Sequence, residues 1–335
     1  MLTLQARLLL ARAMLDFHTP PGFDAIQHAA ARIAPFAQVT PVLRSASLDA
    51  LTGCQLFFKS ENLQRVGAFK FRGACNAVYS LSDSQAARGV LTQSSGNHGA
   101  AVALACRLRG ITARVVVPRH APAVKLAAIR EFGADIIPSG TTQAERDAVM
   151  AEVLAQTQAE VIHPFNDARV IAGQGTATLE LMNQVNSLDS VMAPVSGGGL
   201  LSGTAIAAHA LDPAIRVFGA EPEQAGDAAE SLRRGERVTG WIPDTICDGL
   251  RAELGPLTFD ILRTHRAQIL LASEAEIIAA MRLLWERLKL VVEPSSAVPL
   301  AVVMRHRATF AGRRLGIILS GGNVDLEKLP WLPAA

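Results

Sequence analysis

Gly89-Val90-Leu91-Thr92-Gln93-Ser94-Ser95-Gly96-Asn97-His98-Gly99 changes its hydrophobic rhythm within a few residues. Residues 89–92 are a short apolar run that predicts a strand, and 94–99 are polar and glycine-bearing. From 98 to 109, Ala101, Leu104, Ala105 and Leu108 share one helical face. Outward from this unit the same alternation continues. A strand is expected at 112–117, closed by Pro118, a helix at 123–132, stopped by Gly133, and a strand at 135–137, stopped by Pro138. A helix at 142–156 and a strand at 160–163 follow. The pattern then repeats as helix 171–186, strand 190–195, helix 200–211 and strand 216–220. After a less regular stretch, 221–251, come helices at 274–288 and 296–306 and a strand at 315–319. Strands alternating with helices imply an α/β protein with parallel sheets and right-handed crossovers. Two doubly wound units with a cleft between them are expected.

Composition narrows the function. The chain has 335 residues, which at about 150 per domain means one large or two ordinary domains. Half is apolar and 19% charged, enough for a packed core and unlike a disordered chain. Lys+Arg is 32 against Asp+Glu 30, a net charge of +2, and no basic run carries interleaved aromatics, which argues against nucleic acid. Residues 1–10 are apolar but Arg7 and Arg12 interrupt the stretch, so no secretory signal is read there. No run approaches the roughly 18 apolar residues of a membrane span. Cys54, Cys75, Cys106 and Cys247 are widely spaced, without metal-ligand spacing, and read as free buried thiols of a cytoplasmic protein. A small-molecule ligand is the remaining partner class.

In doubly wound sheets, ligands sit beyond the carboxyl ends of the strands. Three polar glycine loops occupy that position: 94–99, 196–203 and 320–323. Ser196-Gly197-Gly198-Gly199-Leu200-Leu201-Ser202-Gly203 lies between a strand and a helix, where consecutive glycines turn backbone N–H groups toward one anion. A phosphate suits such a nest. A nicotinamide dinucleotide is the rival, with Glu221 as ribose-binding acid, but the spacing is GxGxxxG rather than GxGxxG. Of five lysines, Lys125, Lys289 and Lys328 read as solvated and Lys59 as a strand end. Lys70 stands apart, between Phe69 and Phe71 and flanked by glycines. A desolvated amine there becomes a nucleophile or Schiff-base partner. A reactive amine, a phosphate nest and a small substrate together suggest pyridoxal phosphate.

The residues carrying these features resemble the serine/threonine dehydratase and serine racemase family of fold-type II pyridoxal-phosphate enzymes. Ser60-Glu61-Asn62-Leu63-Gln64 followed by Gly67-Ala68-Phe69-Lys70-Phe71-Arg72-Gly73-Ala74 is similar to that family's cofactor-lysine motif. Ser94-Ser95-Gly96-Asn97-His98-Gly99, the 196–203 loop and Ser320-Gly321-Gly322-Asn323 match its other signatures in order. The resemblance spans about residues 23–329 and implies a tryptophan synthase β-like architecture. Its large cofactor-binding domain would comprise 1–85 and 164–335, and its small domain 86–163. The Gly-Ala-Phe-Lys-Phe-Arg-Gly wording leans toward the serine racemase and 3-hydroxyaspartate dehydratase branch.

The resemblance implies a role for each matched residue. Lys70 would carry the cofactor and then act as base at the substrate's α-carbon. Phe69 would pack against the ring, and Gly197, Gly198, Gly199 and Leu200 would offer N–H groups to the phosphate. Asn97 would meet the phenolic oxygen. Ser94, Ser95 and the backbone of Asn97 and His98 would hold the substrate carboxylate, with Arg146 nearby and Asp248 lining the cleft. Ser320 would face the pyridine nitrogen. Ser95 would stand opposite Lys70, which also permits racemisation. Glu221, Ala225 and Asp227 would hold Mg²⁺ or Ca²⁺ through hard oxygen ligands. The implied activity is dehydration of serine, threonine or 3-hydroxyaspartate to a 2-oxo acid and ammonia by a homodimer, with an amino-acid racemase or a silent amino-acid sensor as alternatives. About twenty residues precede the similarity and would add a helix and an oligomer contact. The chain ends soon after Asn323, so the regulatory domain of long threonine dehydratases is not expected. His98 and His163 fall in motifs, whereas His209 and His265 read as structural.

Overall fold

A computed structural model describes residues 19–121 and 123–332, with the side chains of 123–125 outside the description. The reading of residues 1–10, the helix and oligomer contact assigned to the N-terminal extension, and the solvated Lys125 side chain therefore lie outside the described residues.

The strands are β1 (Val42–Leu43), β2 (Gln55–Ser60), β3 (Val90–Gln93), β4 (Ala113–Pro118), β5 (Asp135–Ser139), β6 (Glu160–Val161), β7 (Ser190–Pro194), β8 (Arg216–Pro222), β9 (Gln268–Ala272) and β10 (Arg314–Leu319). They sort into two sheets, ordered β1-β2-β10-β7-β8-β9 and β5-β4-β3-β6. Every pairing is parallel except that of β1 with β2, a two-residue antiparallel edge the sequence did not announce. Edge strands tolerate this exception because the ladder continues on one side only. β7 and β10 are buried along nearly their whole length, as strands covered on both faces must be.

β10 comes last in the chain yet inserts between β2 and β7. Leu319 pairs with Ser60, and Leu315 with Ser190. The loops leaving β2, β7 and β10 therefore emerge side by side at one sheet edge. The 94–99 loop leaves β3 of the smaller sheet.

Most element boundaries agree with the sequence to within three residues. β6 ends two residues early, because His163 Nδ1 accepts the N–H groups of Phe165 (3.3 Å) and Asn166 (2.9 Å) and turns the chain. The stretch 221–251 contains a helix, Asp227–Arg234, that local sequence does not signal. Its cap is remote: the Glu221 carboxylate accepts from the N–H groups of Ala228 and Ala229 at 3.0 and 2.9 Å. The four cysteines are buried and unpaired, as expected. Among the described residues no helix is long and apolar enough to cross a membrane.

Behind the sheet edge lies a buried ion network. Arg72 is fully buried and donates to both oxygens of buried Glu61, at 2.7 and 2.8 Å, and to both oxygens of Glu180, at 2.7 and 2.8 Å. Lys59 is the strand end expected, at the close of β2, but it is fully buried there and reaches Glu180, Gln184 and the Thr40 carbonyl at 2.7, 2.9 and 2.7 Å. The network ties β2 and the Lys70–Tyr79 helix to the helix Ala168–Gln184. Removing one partner strands buried charges, which typically costs about 3–5 kcal/mol. Arg72→Met is accordingly expected to lower the urea unfolding free energy by an amount in that range, and a loss below about 1 kcal/mol would show the network to be dispensable.

Candidate active site

Between the two sheets runs a cleft of about 810 Å³. Lys70, Phe69, Ser94, Ser95, Asn97, His98, the three glycines of the β7 loop, Leu200, Asp248 and Ser320 all line it. Local backbone explains how Lys70 is aimed there. Val66 and Gly67 adopt positive φ (57° and 67°), reversing the chain just before the helix. The Phe69 N–H then donates to the Ser320 carbonyl at 2.9 Å, fastening the turn to the end of β10.

The Lys70 amine donates to the Pro164 carbonyl at 2.8 Å and sits 5.1 Å from the centre of the Phe69 ring. Phe71, expected on its other side, packs instead into the core beside Ala74 and Ala77. A helix turns 100° per residue, which carries the next side chain away from the cleft. Burial lowers the Lys70 pKa from 10.5 to about 8, opposed only in part by the Glu293 charge.

Across the cleft, Gly198 holds φ +91°, a left-handed conformation, and a Cβ there would come within 2.7 Å of Thr258. Thr258 Oγ1 donates to the Gly197 carbonyl at 2.7 Å, turning the peptide so that the helix Gly199–Leu211 can begin. Its first intrahelical bond is Ser202 N–H to Gly198 O, 2.8 Å, which leaves the preceding N–H groups for an external anion. An anion nest, an amine that sheds its proton near neutrality and a cleft of this size fit pyridoxal phosphate.

The remaining residues are held by interlocking hydrogen bonds. Asn97 Nδ2 donates to both oxygens of Glu293 (3.2 and 3.1 Å), while its Oδ1 accepts from Asn323 Nδ2 at 2.9 Å. His98 is buried, and desolvation with the nearby Lys70 charge pushes its pKa well below 6.5, so it is neutral at pH 7. Thr92 Oγ1 spends its proton on the Ile162 carbonyl (2.7 Å), so the 3.1 Å contact with His98 requires an Nε2–H donor. On the cleft floor Ser320 Oγ meets Ser296 Oγ at 3.1 Å.

Two groups of expected residues lie elsewhere. The Arg146 guanidinium is held by Thr141 O (2.9 Å) and Gln143 Oε1 (2.7 Å) and does not line the cleft. Both are neighbours on its own exposed helix start, so local bonds outcompete the cleft. Glu221, Ala225 and Asp227 are buried at the end of β8, also off the cleft lining. Burial, then the Asp227 charge, raises the Glu221 pKa, and burial raises that of Asp227 to about 7. Among the described residues no cluster of three or more His, Cys, Asp or Glu side chains forms a metal site. Glu221 caps the Asp227–Arg234 helix and does not line the cleft, where a ribose-binding acid of a nicotinamide site would have to stand.

Sequence reasoning missed Glu293, Ser295, Ser296 and Thr258. Only the Glu293-Pro294 pair carried a local signal, since proline at the first position marks a helix start.

The amine generates a prediction with a definite sign. Folded Lys70 gives up its proton near pH 8 and the unfolded chain near 10.5, so stability contributed by this group rises with pH across that window. In protein stripped of small molecules, acylation of Lys70 followed by peptide mass spectrometry should reach half its maximal rate at about pH 8; a midpoint near 10.5 would contradict the burial argument.

Comparison with known proteins bears on the same residues. The family model described as pyridoxal-phosphate dependent enzyme matches residues 33–321. The β-hydroxyaspartate dehydratase of Paracoccus denitrificans (strain Pd 1222) is 48% identical over 311 residues, covering 93% of this chain and 99% of that protein. The serine racemase of Arabidopsis thaliana is 48% identical, covering 91% and 93%. The structure of maize serine racemase superposes with a TM-score of 0.90 at 46% identity, covering 92% of this chain and 95% of that one. The likeness expected from the four motifs and the fold-type II architecture are thus borne out, and the chain belongs to the pyridoxal-phosphate-dependent enzyme family.

Proposed function

We propose that this enzyme dehydrates a β-hydroxy amino acid of the serine, threonine or 3-hydroxyaspartate type, releasing a 2-oxo acid and ammonia. The observation that carries the reading is a Lys70 amine of lowered pKa facing a glycine-built anion nest across one cleft. Similarity to a β-hydroxyaspartate dehydratase over nearly the whole chain supports it.

Pyridoxal phosphate, when bound, supplies an electron sink for charge developing at the substrate's α-carbon. Lys70 would hold that group and, once released, take the α-proton; an amine with a pKa of about 8 is partly neutral at pH 7 and suited to both tasks. The N–H groups of Gly197, Gly198, Gly199 and Leu200 would bind its phosphate, and Phe69 would pack against its ring. Asn97, its amide orientation fixed by Glu293 and Asn323, would present Nδ2 to the phenolic oxygen. Ser94, Ser95 and the backbone at Asn97 and His98 would bind the substrate carboxylate at the start of the Asn97–Arg109 helix, where the dipole favours an anion. Ser320 would face the pyridine nitrogen. An uncharged hydroxyl stabilises a protonated ring less than a carboxylate does, which favours expulsion of a β-leaving group over transamination.

Racemisation is the second reading, favoured by Ser95 on the cleft lining and by 48% identity to a serine racemase. A divalent cation belongs to the proposal too. Glu221 and Asp227, two buried carboxylates with raised pKa, and the Ala225 carbonyl would serve Mg²⁺ or Ca²⁺, which would return both acids to their charged form. A cytoplasmic homodimer, with 86–163 as a small domain against 1–85 and 164–335, completes the reading.

An ammonia-release screen across D- and L-β-hydroxy amino acids, with chiral analysis of residual substrate, tests it. Stoichiometric 2-oxo acid and ammonia are expected; inversion without ammonia would select the racemase. Chelation followed by Mg²⁺ is expected to lower and then restore the thermal midpoint, and an unmoved midpoint and activity would remove the cation.

A further inference from the structure

The turn that follows β6 touches both halves of the site. Pro164 and Phe165 line the cleft, and the Pro164 carbonyl is the acceptor that meets the Lys70 amine at 2.8 Å. Phe165 lies against the anion nest. A Cβ on Gly197 would stand 2.3 Å from the Phe165 ring, and one on Gly199 3.0 Å from the Phe165 Cα. On its far side the turn is braced by Asn166, whose Oδ1 accepts the Leu257 N–H at 3.0 Å in the helix Pro256–Thr264. The same helix supplies Thr258, which binds the Gly197 carbonyl.

One nitrogen holds this turn. His163 Nδ1 accepts from the Phe165 N–H at 3.3 Å and from the Asn166 N–H at 2.9 Å. A ring nitrogen that accepts two N–H groups carries a lone pair and no proton, so the proton of neutral His163 is on Nε2. The Phe165 N–H and the Pro164 C=O belong to one peptide unit. That unit is planar and trans, so its N–H and C=O point in opposite directions. His163 Nδ1 and the Lys70 amine thus grip the two ends of a single peptide, and fixing the N–H fixes the line of the C=O.

We propose that His163 is a positioning residue for Lys70: through the 164–165 peptide it aims the carbonyl that receives the lysine amine whenever that amine is not joined to the cofactor, and so keeps it facing the nest. This rests on the cofactor reading above.

Two substitutions separate the nitrogen of His163 from its ring. His163→Phe keeps an aromatic ring beside Phe165, whose ring centre lies 4.5 Å away edge-on, but offers no acceptor. His163→Asn loses the ring, yet its Oδ1 can accept from backbone N–H groups just ahead in the chain, as in an Asx turn. The first readout is the pH midpoint of Lys70 acylation in protein stripped of small molecules; the second is affinity for pyridoxal phosphate, followed by the absorbance of the bound cofactor. A carbonyl acceptor favours the ammonium over the amine, so a misaimed carbonyl lowers the midpoint. In His163→Phe it is expected to fall from about 8 by roughly one pH unit, with cofactor affinity down roughly ten-fold. His163→Asn is expected to keep the midpoint near 8 and the affinity within about three-fold of the unaltered protein.

A midpoint in His163→Phe that stays near 8, or that climbs toward 10.5 because the turn only sheltered the amine from water, would overturn the proposal. A shifted midpoint in His163→Asn would overturn it too, whether or not His163→Phe folds, since the ring's shape would then matter and not its lone pair. Failure of the unaltered protein to bind pyridoxal phosphate would overturn the cofactor reading instead, a result distinct from these because the acylation needs no cofactor.

Discussion

The site depends on keeping one amine half-buried at the mouth of a helix, without letting the surrounding chain relax around it. A lysine ammonium prefers solvent, and its long side chain normally finds it. Here the turn at Val66 and Gly67 and the bond from Phe69 N–H to Ser320 O fix the backbone on one side. Two residues onward, Arg72 is clamped by Glu61 and Glu180 on the other. The Lys70–Tyr79 helix cannot rotate to expose Lys70 without breaking that buried network. The lowered pKa is the electrostatic consequence of this restraint.

Strand order supplies the second half. Because β10 threads between β2 and β7, three loops distant in sequence leave adjacent strand ends. The turn carrying Lys70, the nest at Gly197, Gly198 and Gly199 and the floor at Ser320 become neighbours through sheet topology. The smaller sheet contributes the wall bearing Ser94, Ser95, Asn97 and His98. Asn97 joins the two halves, accepting from Asn323 beyond β10 and donating to Glu293.

The legible parts of this arrangement are those decided by local backbone chemistry. Glycine loops at strand ends, the helix faces and the isolated lysine between glycines can be read because each constraint acts within a few residues. What escaped reading depends on distant partners. Lys59 reads correctly as a strand end, but its burial rests on a partner, Glu180, that lies 121 positions away. The Asp227–Arg234 helix is invisible because its cap, Glu221, sits beyond a turn. His209 and His265 carry no shared pattern, yet their Nδ1 atoms lie 3.0 Å apart. Ser295 and Ser296 resemble any serine pair at a helix start until the Gly321 backbone is brought against them. Arg146, suggested for the cleft by motif position, is engaged by local hydrogen bonds off the cleft lining.

The most direct measurement is borohydride reduction of the pyridoxal-phosphate-loaded protein, followed by proteolysis and mass mapping. The account predicts one reductively fixed cofactor, on Lys70, and none in Lys70→Ala. A fixed cofactor on Lys59, Lys125, Lys289 or Lys328, or none on the unaltered protein, would contradict it.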